Sequence, residues 1–263
     1  MKRSLNGFFA ATVLLLCSCI NIPGTPAGRT TESKSVKIGT DYKSLKVSSA
    51  IDVVYSPTAT QMTIETPDDF LQYFRYDENG GKLSLWIDKM PRKTVIEAYC
   101  HVTLPVSSRL SSITLNGASD FETAVPLNAE SFDLTLSGAC DFESTAGISA
   151  ESLDIYLSGA SNLSAECNAR TMRLKLSGAS DADICGNTEE LNLVVSGASE
   201  LDDLNDRMLD AAAIDATVSG ASSAELHSNG TASGSVSGAS SMTIHGSCKS
   251  SIKTSGGSSL HTR

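Results

Sequence analysis

The stretch RLKLSGASDADI, residues 173–184, decides the fold of this chain. Close variants of its Ser-Gly-Ala-Ser segment recur along the sequence, and each contains one glycine that we call the motif glycine. Successive motif glycines are 18 to 23 residues apart, at Gly117, Gly138, Gly159, Gly178, Gly197, Gly220, Gly238 and Gly256. A repeat of this length predicts a solenoid, in which stacked units together bury a hydrophobic face that no single unit can bury alone.

The residues on either side of each motif glycine alternate between apolar and polar. Around Gly138, for example, Leu134, Leu136 and Phe142 stand at even distances, whereas Thr135 stands at an odd one. Alternation with a period of two is typical of β-strands that have one buried face. The sequence therefore predicts an all-β fold, a parallel β-helix or β-solenoid with about twenty residues per coil.

The Ser-Gly-Ala-Ser segment itself is interpreted as part of the fold. Glycine permits a backbone angle that other residues avoid, or a close approach of neighbouring backbone at a corner. The serine two residues after the motif glycine, which we call the motif serine, has inward parity and is predicted to hydrogen-bond a main-chain carbonyl or its neighbour in the stack. Cys140 replaces it in one coil, which fits a small buried position better than a catalytic nucleophile.

The N-terminus has the features of a lipoprotein signal peptide over residues 1–18. Lys2 and Arg3 precede an apolar run, residues 8–16, that is too short to span a bilayer. A leucine three positions before Cys19 and a serine directly before it resemble a lipobox, so Cys19 is the predicted lipidation site. Cys17 is a poorer lipidation candidate than Cys19 because a bulky leucine precedes it. An ordinary secretory signal is the alternative, and both interpretations take the mature chain out of the cytoplasm.

The remaining chain is predicted to form one tether and one domain. Residues 19–35 are rich in Pro, Gly, Thr and Ser and predict a flexible tether. Residues 36–263 are predicted to be the β-helix domain, with irregular first coils and a cap over residues 36–110 and regular repeats over residues 111–263.

The charge balance disfavours some partners. The chain has 30 Asp and Glu residues against 20 Lys and Arg, and its formal net charge is −10. An acidic chain without basic clusters argues against nucleic-acid binding.

Two pairs of side chains fall in neighbouring coils. Cys167 and Cys185 stand eight and seven residues after their motif glycines, so a disulfide between them stays open as an alternative to two free thiols. His227 and His245 both stand seven residues after theirs and are predicted to lie side by side on the surface. Two histidines without a third ligand make a weak metal site at best. No Cys-x-x-Cys pair occurs after the signal region, which disfavours zinc.

The third and fifth positions after the motif glycines carry carboxylates in several coils. Both positions point outward, so the register predicts one acidic face with Asp120, Glu122, Asp141, Glu143, Asp181, Asp183, Glu200 and Asp202. Carboxylates about 5 Å apart repel each other by roughly 1 kcal/mol per pair in a water-like medium, and Ca²⁺ can offset this cost. The face is interpreted either as a solvated acidic surface or as a weak calcium site, and no other cofactor is predicted.

These features together resemble a known family. The signal, the opening LKVSSAIDVV (residues 45–54) and SSITLNGASDF (residues 111–121) followed by further LSGAS coils are similar to the bacterial auto-transporter adhesin, head GIN domain family. The resemblance spans about residues 38–260. It implies a right-handed parallel β-helix on a protein of the bacterial envelope, and it implies no established activity.

We therefore expect a lipid-anchored binding or adhesin-like scaffold of the cell envelope, without catalysis and most simply an outer-membrane lipoprotein. The expected partners are the membrane, through the lipid, and a glycan or envelope protein, with self-association as a further option. A carbohydrate-active β-helix enzyme, a lyase or hydrolase, is the main alternative. Such an enzyme would need paired carboxylates in a cleft made by long inserted loops, whereas these coils are short. A purely structural envelope protein is the third interpretation.

Overall fold

The computed structural model describes residues 31–89 and 99–263. The predicted signal peptide, the predicted lipidation site Cys19 and the first part of the predicted tether lie outside the described residues. Among the described residues there is one short 3-10 helix, Leu71–Tyr73, and no helix is long and apolar enough to cross a membrane.

Twenty-one β-strands make up nearly all of the described chain, and they belong to one sheet system. They are β1 Thr31–Val36, β2 Ser44–Ser49, β3 Asp52–Ser56, β4 Met62–Pro67, β5 Phe74–Asn79, β6 Lys82–Ile87, β7 His101–Pro105, β8 Ser112–Gly117, β9 Asp120–Thr123, β10 Leu127–Gly138, β11 Asp141–Gly159, β12 Asn162–Leu176, β13 Asp181–Val195, β14 Glu200–Asp202, β15 Leu209–Val218, β16 Ser223–His227, β17 Thr231–Gly238, β18 Ser241–His245, β19 Lys249–Ser250, β20 Lys253–Gly256 and β21 Ser259–Thr262.

The strands from β8 onward stack in parallel, each coil on the one before it. The registers place motif glycines beside each other, Gly117 next to Gly138 and Gly138 next to Gly159. The chain forms a right-handed parallel β-helix of about 7 turns with about 21 residues per turn. The predicted fold class and coil length are therefore confirmed.

Inward residues form continuous apolar ladders inside the coils. The position two residues before the motif glycine is buried in every coil from Leu115 to Val236, as in Leu115, Leu136 and Leu176. On the next strand the rings of Phe121 and Phe142 stack with centroids 5.3 Å apart and an angle of 6° between their planes. Burying a side chain of this size contributes about 1.5–3 kcal/mol, so these ladders hold the coils together.

The motif glycine is required for two reasons at once. Gly159 has a φ of 87°, which lies in the left-handed region that side chains disfavour. A Cβ atom built on Gly159 would lie 2.3 Å from the carbonyl oxygen of Gly138 in the preceding coil. The same close approach lets the amide of Ala160 donate a hydrogen bond to that oxygen at 2.7 Å. The glycine ladder is thus a corner where successive coils meet backbone to backbone.

The motif serines close the same corner from inside. The motif serines from Ser119 to Ser240 are buried. Five of them donate the hydroxyl to the main-chain carbonyl three residues earlier at 2.8 to 3.0 Å: Ser161, Ser180, Ser199, Ser222 and Ser240. The Cys140 thiol takes the same position and donates to the Ser137 carbonyl at 3.5 Å. The predicted hydrogen bond to a main-chain carbonyl is confirmed, so these hydroxyls are engaged in the fold.

The first coil, β2 and β3, lies between neighbours that are far apart in sequence. On one side β2 and β3 pair in parallel with β6 and β7, and on the other side they pair with β8 and β9. The chain therefore completes a coil, folds back beneath it through β4–β7, and then crosses to the other side. The antiparallel pairs β1–β4 and β5–β6 complete this terminal cap.

The boundary of the predicted tether needs correction. Residues 31–35, assigned to the tether by composition, belong to β1, which pairs antiparallel with β4 along its whole length. Main-chain hydrogen bonds hold this polar strand, and a composition argument based on apolar side chains does not detect them.

Buried tyrosines hold the crossing from β7 to β8. The Tyr42 hydroxyl donates to the carbonyl of Pro105 at 2.8 Å, and the Ser107 hydroxyl donates to the carbonyl of Tyr42 at 2.6 Å. The Ser107 amide donates to the Tyr55 hydroxyl at 2.5 Å. Burial raises the pKa of Tyr42 above its ordinary value, so this hydroxyl stays neutral.

Candidate functional site

The acidic face is the outer surface of the strands that follow the motif glycines. The structure brings all eight predicted carboxylates together on it, where they line one open groove of about 630 Å³. Asn162 and Ser164 line the same groove. The backbone registers explain this, because Asp120 lies beside Asp141 and Asp181 lies beside Glu200.

Uncharged donors relieve part of the repulsion along the face. The side-chain amide of Asn162 donates to Asp141 Oδ1 at 2.6 Å, in the coil that separates the two runs of carboxylates. Ser223 ends the second run and donates its hydroxyl to Glu200 Oε1 at 2.8 Å. The amide of Asp141 donates to Asp120 Oδ1 at 3.3 Å. Three carboxylates of the row therefore accept a hydrogen bond from an uncharged donor.

The remaining repulsion shows in two carboxyl groups. Partial loss of water contact, followed by the charges of Asp52 and Asp141, raises the pKa of Asp120. Partial loss of water contact also raises the pKa of Asp183, with Asp202 as the largest charged contributor. Both shifts mean that the folded chain favours the neutral form of these groups.

Two members of the face were missed by the sequence analysis. Asp52 lies beside Asp120 and extends the carboxylate row into the first coil. His101 Nδ1 lies 3.1 Å from Asp52 Oδ2, and this contact raises the pKa of His101, although partial burial opposes the shift. Asp52 stands three residues after Ser49, which occupies the glycine position, so the repeat register contained the signal. His101 had no such signal because β7 lies outside the regular repeats.

His227 and His245 lie side by side in adjacent coils, at the other end of the face. His227 Nδ1 is 3.0 Å from Asp210 Oδ1, and His245 Nε2 is 2.6 Å from Glu225 Oε1. The repeat spacing predicted that the two histidines are neighbours. It did not predict the contact of His227 with Asp210, because the longer coil between Gly197 and Gly220 shifts the spacing there.

The described residues contain no group of three or more His, Cys, Asp or Glu side chains that could hold a metal ion. The carboxylates of the acidic face follow one another in a row, whereas calcium sites gather six to eight oxygens around a point. The calcium interpretation therefore stays a prediction for solution measurement.

The five cysteines of the described residues are free thiols. Cys185 lies beside Glu166 rather than beside Cys167, so the one-residue mismatch separates the two thiols in register. Burial raises the pKa of Cys167, which makes this thiol a poor nucleophile.

Fold and surface define a class: a parallel β-helix whose outer side presents an open row of polar side chains. Residues 41–248 match the family described as "putative auto-transporter adhesin, head GIN domain". The chain belongs to this family, and the resemblance noted in the sequence is confirmed. The family description points to a protein of the cell surface or envelope. No curated protein matches the chain.

Several crystal structures share the fold. A "putative adhesin" from Parabacteroides merdae has a TM-score of 0.79 at 16% identity, over 89% of this chain and 96% of that chain. A "putative lipid binding protein" from Parabacteroides distasonis has a TM-score of 0.73 at 14% identity, over 89% and 96%. A "putative adhesin" from Bacteroides fragilis has a TM-score of 0.60 at 17% identity, over 89% and 97%. At these identities the likeness shows the fold alone.

Proposed function

We propose that this chain is a non-catalytic, adhesin-like binding scaffold of the bacterial cell envelope, held at a membrane by lipid on Cys19. The observation that carries the proposal is the difference between the inward and outward residues of each coil. The repeated serine hydroxyls are hydrogen-bonded within the turn, whereas the outward carboxylates line a long open groove. Membership in a family described as adhesins supports a role in contact with other molecules.

The shape of the acidic face favours binding over catalysis. A glycosidase places two carboxyl groups with different roles on either side of one bond, at a defined separation. Here equivalent carboxylates repeat from coil to coil, and the groove that they line is open to solvent. Such a surface suits a partner that makes many similar contacts.

The charge of the face selects its partner. A row of carboxylates attracts cationic groups and repels anionic ones, and its contribution to the association rate falls with added salt. We therefore propose a glycan or envelope protein that carries amino or guanidinium groups as the ligand. The lipid-binding name of one structural neighbour adds a lipid vesicle as a further probe.

Binding is tested with the mature chain carrying Cys19→Ala, so that no lipid interferes. The probes are an array containing amino-sugar and neutral glycans, and vesicles of zwitterionic lipid with and without a cationic lipid. We expect binding to amino-bearing probes, weakened at least tenfold in Asp141→Asn/Glu143→Gln. The matched control, Asp133→Asn/Asp215→Asn, removes two carboxylates from another strand of the coils and should bind as the parent does.

Two results would overturn the binding proposal. Equal binding by the two double variants would show that the acidic face is not the contact surface. Release of new reducing ends or unsaturated sugars from a polysaccharide by the purified chain would establish catalysis instead.

The anchor is tested separately in bacterial cells that express the full chain. We expect radiolabelled palmitate to enter the parent and the Cys17→Ala variant, and to be absent from Cys19→Ala. Cys19→Ala should also move from the membrane fraction to the soluble envelope fraction. Equal labelling of Cys19→Ala and the parent would exclude Cys19 as the lipidation site and leave the binding test unaffected.

A further inference from the structure

The histidines are concentrated on the acidic face. The chain has four histidines, and three of them contact a carboxylate there, through the pairs His101–Asp52, His227–Asp210 and His245–Glu225 at 2.6 to 3.1 Å. The fourth, His261, lies on the last strand beside Thr243. A His–carboxylate contact becomes an ion pair only when the imidazole is protonated.

The three pairs lie at the two ends of the carboxylate row. His101 on β7 adjoins Asp52, and Asp52 is followed by Asp120 and Asp141 in successive coils. At the opposite end, Glu225 and the two stacked histidines follow the coil of Asp202. The face is thus a row of mutually repelling carboxylates with histidine side chains at both ends.

We propose that the acidic face is an acid-responsive element of the fold: a fall in pH from about 8 to about 5 protonates His101 against the carboxylates around it, which strengthens the contacts between the first coils and lowers the negative charge of the surface. This inference concerns the folded chain itself and holds whether or not the proposed ligand is correct.

The charged neighbours of each histidine support this direction. His101 is faced by Asp52 from β3, Glu65 from β4 and Glu122 from β9, all of them acidic. A proton on His101 is therefore in contact with Asp52 and is attracted from a longer distance by Glu65 and Glu122, and these three neighbours include no cation.

The two stacked histidines lie at the other end of the row. His227 faces Asp210 and His245, and His245 faces Glu225 and His227. Because two imidazole rings adjoin each other there, whereas His101 is surrounded by carboxylates, we place the acid response at the His101 end.

The sign of the stability change is the same for the histidine and the carboxylates. The pKa of His101 is raised by folding, so its stabilising contribution is complete below about pH 6.5 and is lost as the pH rises through the raised value. The pKa values of Asp120 and Asp183 are also raised, by partial burial first and by neighbouring charges second, so the cost of their charged forms appears as the pH rises through those values. Glu166 has the opposite sign, because Asn168 and Arg207 lower its pKa.

The test is the melting temperature of the mature Cys19→Ala chain between pH 8 and pH 5, at constant ionic strength. We expect it to rise by about 3 °C as the pH falls, a shift of the size that one interaction produces in a chain of this length. The rise should be smaller by half or more in His101→Asn. His261→Asn is the matched control and should keep the full rise.

General repulsion in an acidic protein makes a different prediction. It would leave the pH dependence of His101→Asn equal to that of the parent, and this result would overturn the proposal. A melting temperature that falls or stays constant from pH 8 to pH 5 would also overturn it. If His101→Asn does not fold, Asp52→Asn replaces it: this variant removes the carboxylate that contacts His101 and should show a smaller rise on acidification, and a pH dependence equal to that of the parent would contradict the proposal.

Discussion

The middle coils, residues 111–220, and the last coils, residues 221–263, share one turn motif but differ inside and outside. The middle coils carry 19 acidic and four basic side chains, whereas the last coils carry one acidic side chain and three basic ones. Inside, a ladder that holds Phe142 in the middle coils holds Ala224 further on. Because the turn is the same in both regions, the motif determines the path of the chain, and the inward and outward ladders vary independently of it.

The largest expected difference between the regions concerns the core. Phe142→Ala should lower the free energy of unfolding by about 4 kcal/mol, because it opens a cavity between stacked rings. Met242→Ala, at the same position of a later coil, should cost about 2 kcal/mol, because the flexible side chain has fewer large neighbours there. Urea unfolding measures both, and equal losses would show that the core is uniformly strong along the solenoid.

The motif glycine gives the next largest difference. Gly159→Ala combines a left-handed φ with a Cβ 2.3 Å from the Gly138 oxygen, and we expect a loss of about 3 kcal/mol. At Gly256 the corresponding distance to the Gly238 oxygen is 3.0 Å, so Gly256→Ala should cost about 1 kcal/mol. Urea unfolding of the pair provides the comparison. A Gly159→Ala chain as stable as Gly256→Ala would contradict the close approach of the coils.

The smallest expected effect concerns calcium. The carboxylates of the middle coils form a row without a convergent ligand set in the described chain, so CaCl₂ should change the melting temperature as much as NaCl of equal ionic strength does. A larger rise with calcium, absent from Asp141→Asn/Glu143→Gln, would instead establish the calcium interpretation of the acidic face.

The regular coils were predictable from the sequence, because each coil repeats one local pattern. The motif glycines set the register, and residues at a given distance from them share a face, so the positions of Ser180 and Asp183 followed directly. Parallel stacking then brought together carboxylates about twenty residues apart. No packing detail was needed for this step.

The first coil and both ends of the acidic face were harder to predict. The cap strands β4–β7 are inserted in the sequence between β3 and β8. The repeat pattern therefore does not predict that β3 pairs with both β7 and β9. The contact of His101 with Asp52 depends on that pairing. Asp210 reaches His227 only because the longer coil shifts its register. These contacts follow from long-range topology, which a period of about twenty residues does not encode.

The central claim is that the motif serine belongs to the fold and that the adjacent outward carboxylates carry the surface property. The most direct test is the melting temperature at pH 7 of Ser180→Ala and of Asp183→Asn, two changes in one coil. Ser180→Ala should melt lower, since it leaves the Ser177 carbonyl without its hydrogen bond, at a cost of about 1 kcal/mol. Asp183→Asn should melt higher, since it removes a charge that its neighbours repel. A Ser180→Ala chain that melts with the parent, or an Asp183→Asn chain that melts below it, would contradict the claim.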